Sequence, residues 1–513
     1  MSCVTMARDN SPLGMTADFL SMCARHAAQT VAGLLTISLV VHSLGPEGLG
    51  AWALLGTTSF LVGLSDLGLS NAVLRAAARP DDAVTRRLVR LTMGVVLIVC
   101  PCMSLGAYLL LLRLPASMGT LQAELTHAAL PALTAGLVGS LGAPLRALLL
   151  MRGAFTSLAW ARAAASTAQV TLTAGGLALA PSLLAPALGL LAGAGIEALL
   201  LTRAARQLDP DLELRPGWPR ESSEVHDAFR QGMAALAINV GVAAAIRADV
   251  FILSAYLPLS TVGAYQVASR SIDQIFSLAK QSSGWLLHRL GDPDGRPGAM
   301  RLGTAVLGGL VTSGVVALAL DGSALLGAWV GPLAQDRVVG VAVALLGTAA
   351  IIAAAEEIAS AALTVSSTST WDVARPMLLG NALNIAVSLA GVRYFGVWGV
   401  AGGTVCGNLL IALLIWRKAR ALVGWRAQEI AWTLAPIGTA GLVSLSLGWA
   451  LAPLATGSAL ASALICSGVT LLGTAAALLT WWLRAPPAEA SPPPAETEAP
   501  SPRKEGSTCT SSS

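Results

Sequence analysis

One segment long enough to cross a membrane carries polar and charged side chains at helical spacing. Residues 264–287 read AYQVASRSIDQIFSLAKQSSGWLL, and steps of four, three, four and three residues join the positions Gln266, Arg270, Asp273, Ser277 and Lys280. On a helix these positions form one stripe. An ionisable group near the bilayer centre costs roughly 2.5–3.5 kcal/mol, so the stripe needs protein or water opposite it. We expect it to line a solvated transport cavity, and a purely structural polar network is the alternative.

Two other segments carry arginines suited to the same cavity. Arg25 shares a helix face with Gln29 and Thr36, but it lies near the end of its segment, where an anchor at the membrane surface is an equal alternative. Arg247 and Asp249 are two residues apart and cannot face the same way on a helix. We assign Arg247 to the cavity and Asp249 to a neighbouring helix or the outer surface.

An acid interrupts the second apolar segment, residues 50–74. Asp66 follows Ser59 by seven residues and precedes Ser70 by four, which predicts a weaker stripe on the same cavity. Two further sets could equally hold helices together: the face of Arg162, Ser166, Gln169 and Thr173, and the adjacent acids Glu356 and Glu357.

The elements that must position these residues are membrane helices. The 513 residues are 55% hydrophobic and 12% charged, with a mean hydropathy of +0.69, whereas ordinary soluble domains are about 25% charged. Apolar runs of roughly 20 residues recur along the chain and predict about 14 spans, the last near 457–482. Leucine and alanine dominate and barrel-type alternation is absent, so the predicted fold class is an all-α integral membrane protein.

The first six spans match the next six at a constant offset. Shifting the chain by 213 residues aligns LGPEGLGAW (44–52) with LPLSTVGAY (257–265), Ala161-Arg162 with Ala374-Arg375, and Gly189 with Gly402. Chance matches between apolar segments are the alternative. A duplication predicts two pseudo-symmetric six-helix lobes related by an axis along the membrane normal. We expect an N-terminal lobe over 1–206, a cytoplasmic linker over 207–227, a C-terminal lobe over 228–420, two extra helices over 421–484 and a disordered cytoplasmic tail over 485–513.

The loops between spans indicate the orientation of the chain. Arginine and lysine concentrate in alternate loops, which places both termini in the cytoplasm. The seven cysteines are scattered without a Cys-x-x-Cys pair or a histidine cluster, so we expect neither a disulfide framework nor a zinc site.

Three segments carry distinctive turn and glycine patterns: LGPEGLGAWALLGTTSFLVGLSDLGLSNAVLR (44–75), RADVFILSAYLPLSTVGAYQVASRSIDQI (247–275) and FGVWGVAGGTVCGNLL (395–410). They resemble polysaccharide flippases of the multidrug/oligosaccharidyl-lipid/polysaccharide exporter superfamily. The resemblance covers roughly residues 20–420 and rests on turns and packing rather than on catalytic signatures. It implies two lobes facing each other across a cleft that opens alternately to either side of a bacterial inner membrane.

The resemblance also implies a cargo and its partners. The cargo would be an undecaprenyl-diphosphate-linked oligosaccharide, moved from the cytoplasmic to the periplasmic leaflet. Guanidinium groups recognise such anions through paired hydrogen bonds, so the expected substrate-binding residues are Arg25, Arg247, Arg270, Lys280 and Gln266. Asp66 and Asp273 would take up H⁺ or Na⁺, and no other cofactor is expected. Expected partners are membrane lipids, glycosyltransferases and a polysaccharide polymerase, with no nucleic acid.

Two other functions compete with this interpretation. A multidrug and toxic compound extrusion (MATE) antiporter should prefer acids in its pocket, whereas the main stripe has Arg270 and Lys280 beside the single acid Asp273. A membrane enzyme of glycan assembly needs catalytic residues on sizeable loops, and the predicted periplasmic loops are short. We therefore expect a transporter and not an enzyme.

Overall fold

The computed structural model describes residues 12–77, 82–112, 120–217, 232–233, 236–237, 241, 247–283, 290, 293–366 and 371–451. The regular elements in these ranges are all helices. They are α1 (Pro12–Val62), α2 (Leu69–Ala77), α3 (Asp82–Leu112), α4 (Thr120–Met151), α5 (Phe155–Leu179), α6 (Leu184–Leu208), α7 (247–256), α8 (Leu259–Ser283), α9 (Arg296–Val330), a 3₁₀ turn (Gly331–Gln335), α10 (Arg337–Ser366), α11 (Trp371–Phe395), α12 (Val397–Val423) and α13 (Ala427–Leu451).

The described helices are those of a multi-pass membrane protein. Eight of them are long and apolar enough to cross a bilayer. This agrees with the predicted all-α membrane fold class. The last helix described, α13, packs on α9 through Gly441 against Thr312 and Gly308 against Ile437. The fourteenth span predicted near 457–482 and the tail predicted after it lie outside the described residues.

The helix α1 holds the first predicted span and the start of the second. It bends at Gly45, whose φ of 72° lies in the left-handed region that glycine adopts without strain. Pro46 follows and has no backbone N–H to continue the helical hydrogen bonding. The turn predicted between the first two spans is therefore a sharp kink.

The second predicted span, residues 50–74, is not one helix. Residues 63–68 form turns between α1 and α2, with Leu67 at φ 49° and Gly68 at φ 75°. The Gly68 amide donates a hydrogen bond of 3.1 Å to Asp66 Oδ1, an Asx-type turn that competes with the helix. The expectation that Ser59, Asp66 and Ser70 form one helical stripe is wrong, because the backbone breaks between them.

The two halves of the chain repeat the same helix packing. In the pair α5–α6, a Cβ on Gly189 would lie 2.7 Å from the Gln169 carbonyl oxygen and would collide with the Thr173 hydroxyl. In the pair α11–α12, a Cβ on Gly403 would lie 2.8 Å from the Asn384 carbonyl oxygen and would collide with the Ser388 hydroxyl. Helices this close require small residues at the crossing, so the match is structural and not compositional.

A second contact one turn further confirms this register and corrects the predicted alignment. A Cβ on Gly193 would lie 3.0 Å from the Ala165 carbonyl oxygen, and a Cβ on Gly407 would lie 2.7 Å from the Gly380 carbonyl oxygen. The offset is thus 215 residues for α5 on α11 and 214 for α6 on α12. The constant offset of 213 is wrong in these helices, because the two repeats differ slightly in length. The counterpart of Gly189 is Gly403, and the counterpart of Arg162 is Met377 instead of Arg375.

The lobes formed by α1–α6 and α7–α12 meet where α1 packs on α8. A Cβ on Gly50 would collide with the Leu259 carbonyl oxygen, and a Cβ on Gly263 would collide with the Pro46 carbonyl oxygen. Each pair of equivalent residues is 213 apart, as the sequence alignment gives for this segment. Gly50 contacts Leu259, the counterpart of Pro46, and Pro46 contacts Gly263, the counterpart of Gly50. The contact therefore has the self-complementary form of a two-fold interface.

Candidate functional site

A cavity of about 340 Å³ lies between the lobes, and three arginines reach it from both sides. Arg162 comes from α5 of the N-terminal lobe, and Arg247 and Arg270 come from α7 and α8 of the C-terminal lobe. Four glutamines add amide groups to the wall: Gln29, Gln169, Gln266 and Gln274. The arrangement can therefore bind an anion through guanidinium groups and neutral polar groups through amides.

Arg247 crosses from one lobe to the other. Its guanidinium carbon lies 5.0 Å from the centroid of the Phe60 ring on α1, a cation–π distance. Its Nε is buried without a hydrogen-bond partner. Arg247 therefore carries a donor that no group of the described residues satisfies, in a cavity whose wall has three arginines.

The α8 residues of the wall follow one edge of the predicted stripe. Gln266 is 4% exposed, Arg270 lies one turn further, and Gln274 lies a turn beyond that. Gln274 Oε1 accepts a hydrogen bond of 2.8 Å from the Thr30 hydroxyl of α1. This bond joins the lobes beside the cavity.

A buried carboxylate holds the arginine of the N-terminal lobe. Arg162 Nη1 donates to Glu197 Oε2 at 2.8 Å, and Arg146 Nη1 donates to Glu197 Oε1 at 3.1 Å. The Glu197 side chain is 9% exposed. Glu197 is not among the predicted site residues, although the sequence carries a signal for it: it is the single acid in LLAGAGIEALLLTR (190–203), and an ionisable residue within an apolar span is functional by default.

A second, larger cavity lies inside the C-terminal lobe. It has a volume of about 610 Å³, and its wall carries the acids Asp249, Asp273, Glu356 and Glu357. Asp249 accepts hydrogen bonds from the hydroxyls of Tyr265 and Thr404, the latter at 2.9 Å, through Oδ2. Its Oδ1 is buried without a partner. A buried carboxylate with a free oxygen beside hydroxyl groups suits a proton or a small cation.

The predicted stripe of α8 divides between these two cavities. Gln266 and Arg270 face the central cavity, whereas Asp273 and Lys280 line the cavity of the C-terminal lobe, where Lys280 Nζ lies 2.5 Å from Glu357 Oε1. The single-cavity expectation is wrong, because the stripe is broad enough for its two edges to face opposite sides of α8. The helix is the wall between the two cavities.

Two other predicted site residues, Arg25 and Asp66, are not on the described wall of the central cavity. Arg25 is one turn before Gln29, the first residue of α1 on the wall, and it is within electrostatic range of Arg146, Arg162 and Glu197. Asp66 is 8% exposed and its carboxylate belongs to the turn before α2. The structure thus brings together Arg247, Arg270 and Gln266 at one cavity and adds Arg162.

Comparison with solved structures identifies the fold. A structure described as "Lipid II flippase MurJ, inward closed conformation" matches with a TM-score of 0.70 over 91% of this chain and 100% of that chain, at 12% identity. The chain has the fold of MurJ. The eukaryotic MATE transporter AtDTX14 matches with a TM-score of 0.59 over 83% of this chain and 99% of that chain, at 13% identity. A MATE protein in complex with MaL6 matches with a TM-score of 0.58 over 79% of this chain and 95% of that chain, at 16% identity.

Sequence comparisons do not refine this result. No family model matches the chain, and no curated protein sequence matches it. The chain resembles both a flippase structure and MATE structures, so the fold by itself does not assign a function.

Proposed function

We propose that this chain is an alternating-access flippase for an undecaprenyl-diphosphate-linked oligosaccharide, a precursor of a polysaccharide. It moves the cargo from the cytoplasmic to the periplasmic leaflet of a bacterial inner membrane, with both termini cytoplasmic. The observation that carries the proposal is the placement of Arg162, Arg247 and Arg270 around one cavity between the lobes.

The chemistry of the wall matches the two polar parts of such a cargo. A diphosphate offers several anionic oxygens, and guanidinium forks bind them in pairs. The amides of Gln29, Gln169, Gln266 and Gln274 can donate and accept hydrogen bonds, as sugar hydroxyls require. Arg25, one turn toward the predicted cytoplasmic end, extends the positive lining along the entry path.

The lobes must separate for the cargo to pass. Their contacts include the Thr30–Gln274 hydrogen bond and the Gly50–Gly263 contact, which lie toward opposite ends of the α1–α8 interface. Breaking one contact while the other holds exposes the cavity to one side at a time. Two such contacts are what alternating access requires, since bound cargo and ions can shift the balance between them.

Ion coupling is assigned to the acids of the C-terminal lobe. Asp273, selected from the sequence, and Asp249, with its free Oδ1, both line the larger cavity. Uptake of H⁺ or Na⁺ there removes unbalanced negative charge next to α8, the helix that also carries Arg270. Asp66 stays a sequence-based candidate, although its carboxylate already accepts the Gly68 amide.

A MATE-type antiporter for cationic drugs is the second candidate. The acids in the C-terminal cavity favour it, because they would attract an organic cation. The central cavity opposes it, since among the described residues of its wall none is acidic. We therefore prefer the anionic cargo. Glycosyltransferases and a polysaccharide polymerase are its proposed partners, because they would make and consume the cargo.

Transport by the purified full chain in vesicles tests the proposal. The probe is a fluorescent undecaprenyl-diphosphate oligosaccharide, and its appearance in the outer leaflet is followed by quenching. We expect Arg270→Ala and Arg247→Ala each to slow translocation about tenfold or more, since each removes charged hydrogen bonds. Arg393→Ala, at the exposed end of α11, is the control. Wild-type rates in both cavity variants, or transport of ethidium in place of the lipid, would overturn the proposal.

A further inference from the structure

Glu197 is shared by two arginines that differ in how firmly they are held. Arg146 donates to Glu197 through Nη1 and to the Gly139 carbonyl oxygen through Nη2 at 2.9 Å, so it is bonded at two sites. Arg162 donates to Glu197 through Nη1, and its Nε is buried without a partner. Of the two arginines, Arg162 is the one on the wall of the central cavity.

The helix packing does not require this ion pair. In the register fixed by the glycine contacts, α5 corresponds to α11 and α6 to α12, which places Arg162 on Met377 and Glu197 on Ile411. The C-terminal lobe thus builds the same pair of helices with two apolar residues, and both line its own cavity. A buried ion pair that an apolar pair can replace adds little net stability. Its presence in the N-terminal lobe calls for another role.

The charges around Glu197 point to that role. Arg25 lies within electrostatic range of two other arginines, Arg146 and Arg162, and of one acid, Glu197. Glu197 is not itself on the described wall of the cavity. An anion entering the cavity can therefore reach Arg162 but not Arg146, and it competes with Glu197 for the Arg162 guanidinium.

We propose that Glu197 is a positioning residue that holds Arg162 at the cavity wall and releases it to the diphosphate of the cargo. The inference rests on the proposed function, because it needs an anionic cargo. In the empty cavity, Glu197 neutralises Arg162. When the diphosphate binds, its oxygens accept the hydrogen bonds of Arg162, and Glu197 remains bonded to Arg146. When the cargo leaves, Glu197 recovers Arg162, so the anion is not retained.

Removal of the negative charge makes a specific prediction. Glu197→Gln should bind a diphosphate about tenfold more tightly, because the competing anion is gone and the charges lie close together in a medium of low dielectric constant. The same change should slow turnover, since no carboxylate recovers Arg162 from the product. A lower KM with a lower kcat is the result that a merely structural role would not give. Glu197→Asp keeps the charge on a shorter side chain that reaches Arg162 less well, so it should show the same change to a smaller extent.

Binding to the full chain in detergent tests the inference separately from the proposed function. The probes are undecaprenyl diphosphate and uncharged undecaprenol, and thermal unfolding of each variant reports its stability. Glu124→Gln is the matched control: Glu124 is also in the N-terminal lobe, and it accepts a hydrogen bond from the Leu183 amide, 3.4 Å away. We expect wild-type protein to prefer the diphosphate, Glu197→Gln to strengthen that preference and Glu124→Gln to leave it unchanged.

Each other outcome is decisive. If wild-type protein does not prefer the diphosphate over the alcohol, the proposed function fails and the inference fails with it. If wild-type protein prefers the diphosphate but Glu197→Gln binds it equally or more weakly while folded, the inference alone is overturned. If Glu197→Gln does not fold, Glu197→Asp decides, and unchanged affinity in that variant overturns the inference.

Discussion

The guanidinium carbon of Arg247 lies 5.0 Å from the centroid of the Phe60 ring, so a cation of the C-terminal lobe rests on an aromatic ring of the N-terminal lobe. Both residues line the central cavity. The contact positions Arg247 without neutralising it, since an aromatic ring attracts a cation through its quadrupole and carries no net charge. The ring thus holds Arg247 across the lobes without adding a negative charge that an anion would have to displace.

This contact predicts the effect of removing the ring. Phe60→Leu keeps an apolar side chain but loses the cation–π attraction, which is worth about 1 kcal/mol. We expect undecaprenyl diphosphate to bind about fivefold more weakly, as measured by titration in detergent. Phe395→Leu, at an exposed ring that is 67% accessible on α11, is the control and should leave affinity unchanged. Equal affinity in Phe60→Leu and wild-type protein would show that the ring does not position Arg247.

The division of the α8 stripe predicts that its two cations are not equivalent. Arg270 faces the central cavity, whereas Lys280 pairs with Glu357 in the C-terminal cavity. The Lys280 side chain is 52% exposed, and partly exposed ion pairs contribute about 0–1 kcal/mol. Lys280→Ala should therefore bind undecaprenyl diphosphate like wild-type protein, while Arg270→Ala should bind it about tenfold more weakly. Comparable losses of affinity in the two variants would show that Lys280 also contacts the cargo and would contradict the division of the stripe.

The close approach of α1 and α8 predicts that a larger residue at Gly50 or Gly263 separates the two lobes there. A Cβ at Gly50 or Gly263 would collide with a backbone oxygen of the other lobe, and backbone cannot move aside as a side chain can. We expect Gly50→Val to separate the lobes at this end and to favour the state that is open there. In a cysteine-free background, Ser59→Cys on the cavity wall should react faster with a water-soluble maleimide when Gly50→Val is present.

A matched glycine separates this effect from general loosening. A Cβ at Gly340, on the exposed side of α10, meets no atom within 4 Å. Gly340→Val should leave the labelling rate of Ser59→Cys unchanged. If Gly50→Val does not alter labelling either, the Gly50–Gly263 contact does not control access to the cavity.

The sequence predicts most of the helices and the helix face on which residues such as Gln266 and Arg270 lie. It does not predict which groups surround the charged side chains. Periodicity assigned Gln266 and Arg270 to one face of α8, because helix geometry alone determines that face. It could not show that a second cavity lies beside α8, which decides the environment of Asp273 and Lys280. Nor could it detect the break before α2, where local turn bonding at Asp66 and Gly68 competes with an apolar helix.

The register of the repeat shows the same limit. The offset of 213 holds at Gly50 and Gly263, where a turn motif fixes the alignment, and it fails at Gly189, where small length differences have accumulated. Sequence similarity between apolar helices is too uniform to reveal shifts of one residue. Contacts between backbone and glycine are specific enough to do so, and they reveal that Arg162 and Glu197 have apolar counterparts.

Two of the three acids proposed for ion coupling, Asp249 and Asp66, lead to opposite predictions. Asp249 is 3% exposed, with Oδ1 free and Oδ2 bonded to hydroxyls, so Asp249→Asn removes the charge that a cation would need. Asp66 uses Oδ1 to accept the Gly68 amide, and an asparagine oxygen can accept the same bond. We therefore expect Asp249→Asn to abolish the dependence of lipid translocation on a Na⁺ or H⁺ gradient, and Asp66→Asn to preserve it. Translocation is measured in vesicles with each gradient imposed separately. If Asp66→Asn removes the dependence and Asp249→Asn does not, coupling occurs at the turn before α2 and not in the C-terminal cavity.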